Sequence, residues 1–182
     1  MNKTNNKRYQ LTDVKIENAL IKLLKDKDFN SIYVNDICKE AGIARTSFYS
    51  HYDDINDLIL KIQDKYSKDI IDILMKNKLS SKDAFTKYFY YLKDHSYFYK
   101  VYLMSPENSI FKKNSNEPLF ALYSNLFENK NKNEREINYN MIFIAAGIKG
   151  ISYKWLLDGC IETPEEMTEI LHREYSGIIS HE

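Results

Sequence analysis

Apolar side chains return along most of this chain at intervals of three and four residues, the signature of helices with one buried face. The pattern predicts a first helix capped at Thr12, with Ile16, Ala19, Leu20, Leu23 and Leu24 inward and Phe29 closing the loop behind it. Val34, Ile37, Cys38 and Ala41 then fit the buried face of a short helix, Gly42 supplies a left-handed turn residue, and Ile43 with Phe48 anchor a second short helix on the same core. Asp54 reads as the cap of a long helix, because Ile55, Leu58, Ile59, Ile62, Tyr66, Ile70, Ile73 and Leu74 hold helical spacing.

Farther along, Ser80 with Asp83 predicts the start of an aromatic helix bearing Phe85, Tyr88, Phe89 and Leu92, and His95 to Met104 continues as another. Pro118 opens a segment running to Phe127, and the polar stretch from Asn129 to Glu136 reads as a solvated connector. A helix over Ile137 to Leu157 stops at Gly159, and Thr163-Pro164-Glu165-Glu166 starts the last one, whose stripe is Met167, Ile170, Leu171, Tyr175 and Ile178. The five Gly and three Pro sit mainly at the ends of periodic segments, which favours an all-α chain. Gly147 and Gly150 fall inside a helix, at about 1 kcal/mol each relative to Ala, which close approach of a partner helix or a ligand, or a kink, would explain.

Two short helices joined by a glycine turn, over residues 32 to 52, form the layout of a helix-turn-helix that places its second helix in the DNA major groove. Arg45, Thr46 and Ser47 at the start of that helix are candidate base contacts, since Arg pairs bidentately with guanine and hydroxyls meet several bases. Tyr33, Tyr49 and His51 are candidate backbone contacts, which set register without reading sequence.

Charge adds a modest asymmetry under a net charge of zero: residues 1 to 52 hold nine Lys or Arg against six Asp or Glu, and the remainder seventeen against twenty. Residues 1 to 10 read as a mobile basic arm, residues 1 to 53 as a DNA-binding head, and residues 54 to 182 as a helical regulatory and dimerisation body. Cys38 and Cys160 lie apart with no Cys-x-x-Cys, as expected of buried cysteines in a reducing compartment. Glu169 and His172 have a metal-site spacing without the further ligands such a site needs, so no metal and no cofactor are expected. The longest apolar run, Met141 to Gly147, falls far below the roughly 20 residues of a bilayer span, and the expected location is cytoplasmic, with no membrane partner. No phosphate loop, metal constellation or nucleophile with a placed base points to an enzyme.

A three-helix head, a long connecting helix and a helical body ending in a helix pair resemble the TetR/AcrR family of bacterial transcriptional regulators. The resemblance is carried by residues 12 to 60, where Val34-Asn35-Asp36-Ile37, Ala41-Gly42-Ile43, Ser47-Phe48-Tyr49, His51-Tyr52 and Leu58 fall in the family's order and spacing. The chain departs from the family at three positions: Tyr33 stands where a Thr or Ser cap is usual, Ala44 replaces the usual Ser cap of the recognition helix, and Ile55 replaces a phosphate-binding Lys. The resemblance implies a homodimeric, sequence-specific repressor of a palindromic operator, released when a small molecule repositions the connecting helix; a regulator or adaptor controlled by a partner protein is the alternative. Fifteen Tyr and nine Phe make Tyr66, Phe89, Tyr102, Phe120, Tyr123, Phe143 and Trp155 candidates for a pocket taking a hydrophobic or aromatic effector, with a plain aromatic core as the competing reading. The two terminal amphipathic helices suit a dimer face, with Ile144, Ile148, Ile151, Met167, Ile170, Leu171 and Ile178 as its candidates.

Overall fold

The computed structural model describes residues 7–77, 81–104 and 134–179, with backbone only at 101–104, 134, 137, 141 and 175–179. Every regular element among them is helical. Helix α1 (Lys7–Asp26) buries Ile16, Ala19, Leu20 and Leu24, as its apolar stripe predicts. It begins earlier than expected: residues 7 to 10 are its first turns rather than arm, and Thr12 is an interior residue whose hydroxyl donates to the Arg8 carbonyl at 3.0 Å. A hydroxyl that bonds back within its own helix does no capping, so the sequence signal for a start at Thr12 was misleading.

After a single 3-10 turn at Phe29–Ser31, α2 (Val34–Ala41) buries Ile37 and Cys38 against α1. Gly42 adopts φ 64°, ψ 41°, and the Ile43 N–H reaches back to the Cys38 carbonyl at 3.0 Å. This is a helix stop that a side chain with a Cβ enters only under strain. Helix α3 (Arg45–Tyr49) follows with Phe48 fully enclosed. Helix α4 (Ile55–Lys76) is capped as predicted, the Asp57 N–H donating to Asp54 Oδ1 at 2.8 Å. It buries one residue per turn, Leu58, Ile62, Tyr66, Ile70 and Leu74. The chain divides into two compact units within this helix, between Tyr66 and Ser67.

In the second unit, α5 (Lys82–Asp94) takes its cap from Ser81, whose hydroxyl accepts from the Ala84 N–H at 3.1 Å, one residue beyond the expected Ser80. Helix α6 (Ser96–Met104) follows, then α7 (Glu134–Leu157) and α8 (Pro164–Ile179). Helix α7 starts three residues before the predicted Ile137, absorbing the end of the polar stretch. Glutamates there suit the positive end of a helix dipole. It stops as predicted, with Gly159 at φ 87° and the Cys160 N–H returning to the Trp155 carbonyl at 2.9 Å. The last helix has the full predicted capping box: Glu166 N–H to Thr163 Oγ1 at 3.2 Å and Thr163 N–H to Glu166 Oε2 at 2.7 Å. The segment from Pro118 to Phe127 lies outside the described residues.

Helix α5 packs along α8, and α6 along α7. The first contact is stitched by Thr86 to Thr168 at 3.0 Å, Lys82 to Glu169 at 2.6 Å and Tyr90 to Glu165 at 2.8 Å. One expectation is overturned here: Ile144, Ile148, Met167 and Leu171 are buried inside this single chain rather than offered to a second copy. Ile151 and Ile170 are half-buried, and the Ile178 side chain lies outside the described residues. An apolar stripe on an amphipathic helix marks a buried face without saying whether the cover comes from the same chain.

Candidate nucleic-acid interface

Helix α3 has a single buried residue. Phe48 is wholly buried, its ring centroid 5.7 Å from that of the buried Tyr52, and the five-residue helix turns its other positions outward. Arg45, Thr46 and Tyr49 are exposed and Ser47 half-exposed. Arg45 does not wander freely: its Nη2 donates to Tyr49 Oη at 3.3 Å, and the guanidinium carbon lies 5.8 Å from the Tyr49 ring centroid. A cation lying over an aromatic face one turn away is partly preorganised, which lowers the entropic cost of placing it against a base.

The departures at Tyr33 and Ala44 have different outcomes. Tyr33 is 67 % exposed, and its backbone N–H is satisfied by Asp36 Oδ2 at 3.0 Å. That bond, with the nearby Lys27 ammonium, holds the Asp36 carboxyl below its ordinary range. At Ala44 no side chain caps α3, leaving its first N–H groups open to solvent or to an anion. Ile55, where the family places a cationic side chain, is half-buried.

His51 is turned inward, contrary to its expected place on the phosphate-facing surface. Its side chain is 3 % exposed, its Nδ1 lies 3.1 Å from Asp13 Oδ1, and its ring stacks on Tyr9 at 3.7 Å. Tyr52, also buried, donates its hydroxyl to the same Asp13 oxygen at 2.6 Å. Burial, then the Asp13 carboxylate, push the Tyr52 phenol far above its ordinary pKa. From α4, Lys61 Nζ donates to the His51 carbonyl at 2.9 Å and sits 5.0 Å from the Tyr52 ring centroid. Lys61 also pairs with Asp57, which raises the pKa of the one and lowers that of the other. None of Tyr9, Asp13 and Lys61 was singled out by pattern: Tyr9 lay in what reads as arm, and polar residues on helix faces ordinarily read as solvated.

Of the pocket candidates, Phe89 and Trp155 are brought together, both buried, with ring centroids 5.4 Å apart and nearly perpendicular. Beside them Tyr88 shares a 3.0 Å hydrogen bond with Ser152, and burial pushes its phenol up to about 12. Phe143 is the opposite case, 67 % exposed and therefore not lining this interior. Tyr66 is buried but belongs to the first unit. The side chains of Tyr102, Phe120 and Tyr123 lie outside the described residues. Among the described residues no cluster of His, Cys, Asp and Glu could hold a metal ion, and no helix is long and apolar enough to cross a membrane.

An all-helical chain whose head carries a helix-turn-helix with an outward-facing recognition helix belongs to the class of DNA-binding transcription regulators. Residues 16–62 match the sequence profile described as bacterial regulatory proteins, tetR family, and residues 80–176 match the profile of a transcriptional regulator C-terminal region of the same type. The chain belongs to the TetR family of bacterial transcriptional regulators. A curated relative, an uncharacterized HTH-type transcriptional regulator of Haemophilus influenzae, is 36 % identical over 50 residues. That alignment covers 28 % of this chain and 24 % of the relative, so the chain spans about a quarter of that protein's length.

Similar solved structures include the fatty acid degradation regulator FadR from Bacillus halodurans, at TM-score 0.72 and 18 % identity over 94 % of this chain and 97 % of that one. FadR from Bacillus subtilis in complex with stearoyl-CoA gives TM-score 0.68 and 15 % identity over 88 % and 95 %. The dihydroxyacetone kinase operon activator DhaS gives 0.59 and 18 % over 88 % and 91 %. At these identities the likeness is one of fold.

Proposed function

We propose that the protein is a homodimeric repressor that reads a palindromic operator through α3 and is released by a hydrophobic or aromatic small molecule. The observation that carries the DNA reading is the division of α3 itself: Phe48 is wholly buried while Arg45 and Thr46 stand in solvent, Arg45 already steered by Tyr49. Arg45, Thr46 and Ser47 then read base edges, and Tyr33 and Tyr49 meet phosphates. The inward turn of His51 removes its side chain from that set.

Dimerisation is supported by a face of α7 that is exposed among the described residues. Tyr139, Phe143 and Leu157 are 63 %, 67 % and 47 % exposed, with Gly147 and Gly150 exposed between them at helical spacing. Large apolar side chains flanking two glycines suit close approach of a second copy, and a twofold dimer matches two half-sites about 34 to 36 Å apart. The effector reading rests on the aromatic interior around Phe89, Trp155 and Tyr88. Stearoyl-CoA, held by one structural neighbour, makes acyl-CoA thioesters the first ligands to try.

The test is footprinting of the purified protein on the DNA flanking its own gene, with expression from that promoter measured beside it. A palindromic protected site and derepression on deletion are expected; no protection at any concentration sinks the DNA reading, and lowered expression on deletion makes the protein an activator. On the protected site, Arg45→Ala should lose operator selectivity whereas Tyr49→Phe should weaken binding to all sequences alike. Trp155 is the single tryptophan, so its emission reports effectors added to the body. DNA affinity insensitive to every ligand that perturbs that emission would shift control to a partner protein.

A further inference from the structure

We infer that Asp13 is a positioning residue for the recognition helix, an inference that rests on α3 being the DNA-reading element. Helix α3 is only five residues long and has no side-chain cap at its start. A helix of little more than one turn has no stability of its own, so its direction is set by whatever holds its ends. Phe48 secures the middle. The C-terminal end is secured by α1, and Asp13 is the centre of that attachment.

One oxygen, Asp13 Oδ1, accepts from Tyr52 Oη at 2.6 Å and from His51 Nδ1 at 3.1 Å. Both donors are buried, and they are the second and third residues after α3. Tyr9, one turn before Asp13, stacks on the His51 ring at an interplanar angle of 19° and donates its hydroxyl to the Ser50 carbonyl at 3.2 Å. On the other side Lys61 holds the His51 carbonyl. The chain from Ser50 to Tyr52 is thus fixed between α1 and α4. Bonds to an ionised acceptor are about twice as strong as neutral ones, and removing that acceptor strands two buried donors at once. Asp13 touches neither a base nor a phosphate in this scheme; it acts through the angle at which Arg45, Thr46 and Ser47 are presented.

The test uses the full chain carrying Asp13→Ala, Asp13→Asn or Tyr52→Phe. Two readouts are taken: amide hydrogen exchange, and the ratio of affinities for a duplex bearing the footprinted site and a scrambled duplex of equal length. Asp13→Ala should speed exchange at residues 48 to 52 about tenfold with α2 unchanged, and lower the affinity ratio by about tenfold while binding to the scrambled duplex is retained. Asp13→Asn keeps an oxygen acceptor and should restore most of both. Wild-type behaviour of Asp13→Ala in either readout overturns the inference, as does equal impairment of Ala and Asn together with faster exchange throughout the head. Should Asp13→Ala fail to fold, Tyr52→Phe decides: it keeps the buried ring and removes one donor, so a several-fold drop in the ratio supports the inference and an unchanged ratio refutes it. Absence of any sequence preference in the wild-type protein defeats the DNA reading instead, and the exchange data still decide whether Asp13 holds this turn.

Discussion

Gly150→Ala separates the two environments that α7 has with and without a second copy. Among the described residues of the single chain, a Cβ at Gly150 meets no atom within 4 Å, and the backbone there is helical. Glycine inside a helix is about 1 kcal/mol worse than alanine, so the isolated chain should gain about that amount, worth roughly 2 to 4 °C in a chain of this size. In the proposed dimer the same methyl enters the contact between two α7 helices, and twofold symmetry places one on each side. Overpacking a close contact costs typically about 1 to 3 kcal/mol per site, which weakens association by one to several factors of ten. Sedimentation analysis over a range of concentrations, with melts at the lowest and highest, measures both effects. A higher melting temperature when dilute, paired with weaker dimerisation, is expected. A uniform gain at every concentration with self-association unchanged would mean that no close helix contact forms at Gly150, and the dimer face would have to be sought elsewhere.

Ala44 already has the extended backbone of a cap residue, φ −76° and ψ 152°, so Ala44→Ser should stabilise the head by about 1 kcal/mol in denaturant unfolding. No gain would show that these N–H groups are satisfied in another way. Trp155 Nε1 donates to the Glu162 carbonyl at 3.0 Å, bridging the turn between α7 and α8. Trp155→Phe leaves that carbonyl without its donor and should cost roughly 1 to 3 kcal/mol, read by circular dichroism; no loss would mean the turn holds without it. Tyr88 supplies a pH dependence: between pH 10 and about 12 an unfolded phenol loses its proton while the buried one keeps it, so the folded state binds more protons and stability falls as pH rises. Below that window the group contributes no slope. Tyr88→Phe should make the alkaline loss shallower by one proton's share, and an identical alkaline curve would count against the burial argument.

Much of the architecture was legible because it follows from local rules. Gly42 and Gly159 stop helices where the periodic stripe runs out, and Asp54 and the Thr163–Glu166 box start them, since each satisfies orphan N–H or C=O groups within a few residues. The same locality explains the failures. Thr12 has cap chemistry, but a helix that begins earlier converts its hydroxyl into an internal donor. Ser80 and Ser81 are adjacent residues of one type, and only the backbone path chooses between them.

The helix-turn-helix and its outward residues Arg45, Thr46 and Ser47 also follow from the chain alone, because the spacing around Phe48 and Gly42 leaves those positions no interior to enter. Tertiary structure decided what spacing cannot express. It turned His51 from a surface candidate into a buried partner of Asp13, residues 38 positions apart. It also covered Ile144, Ile148, Met167 and Leu171 within the chain while leaving Tyr139 and Phe143 outside. Periodicity reports that a face is buried or solvated on a single helix; which neighbour covers it is a property of packing between distant segments, and no local pattern encodes it.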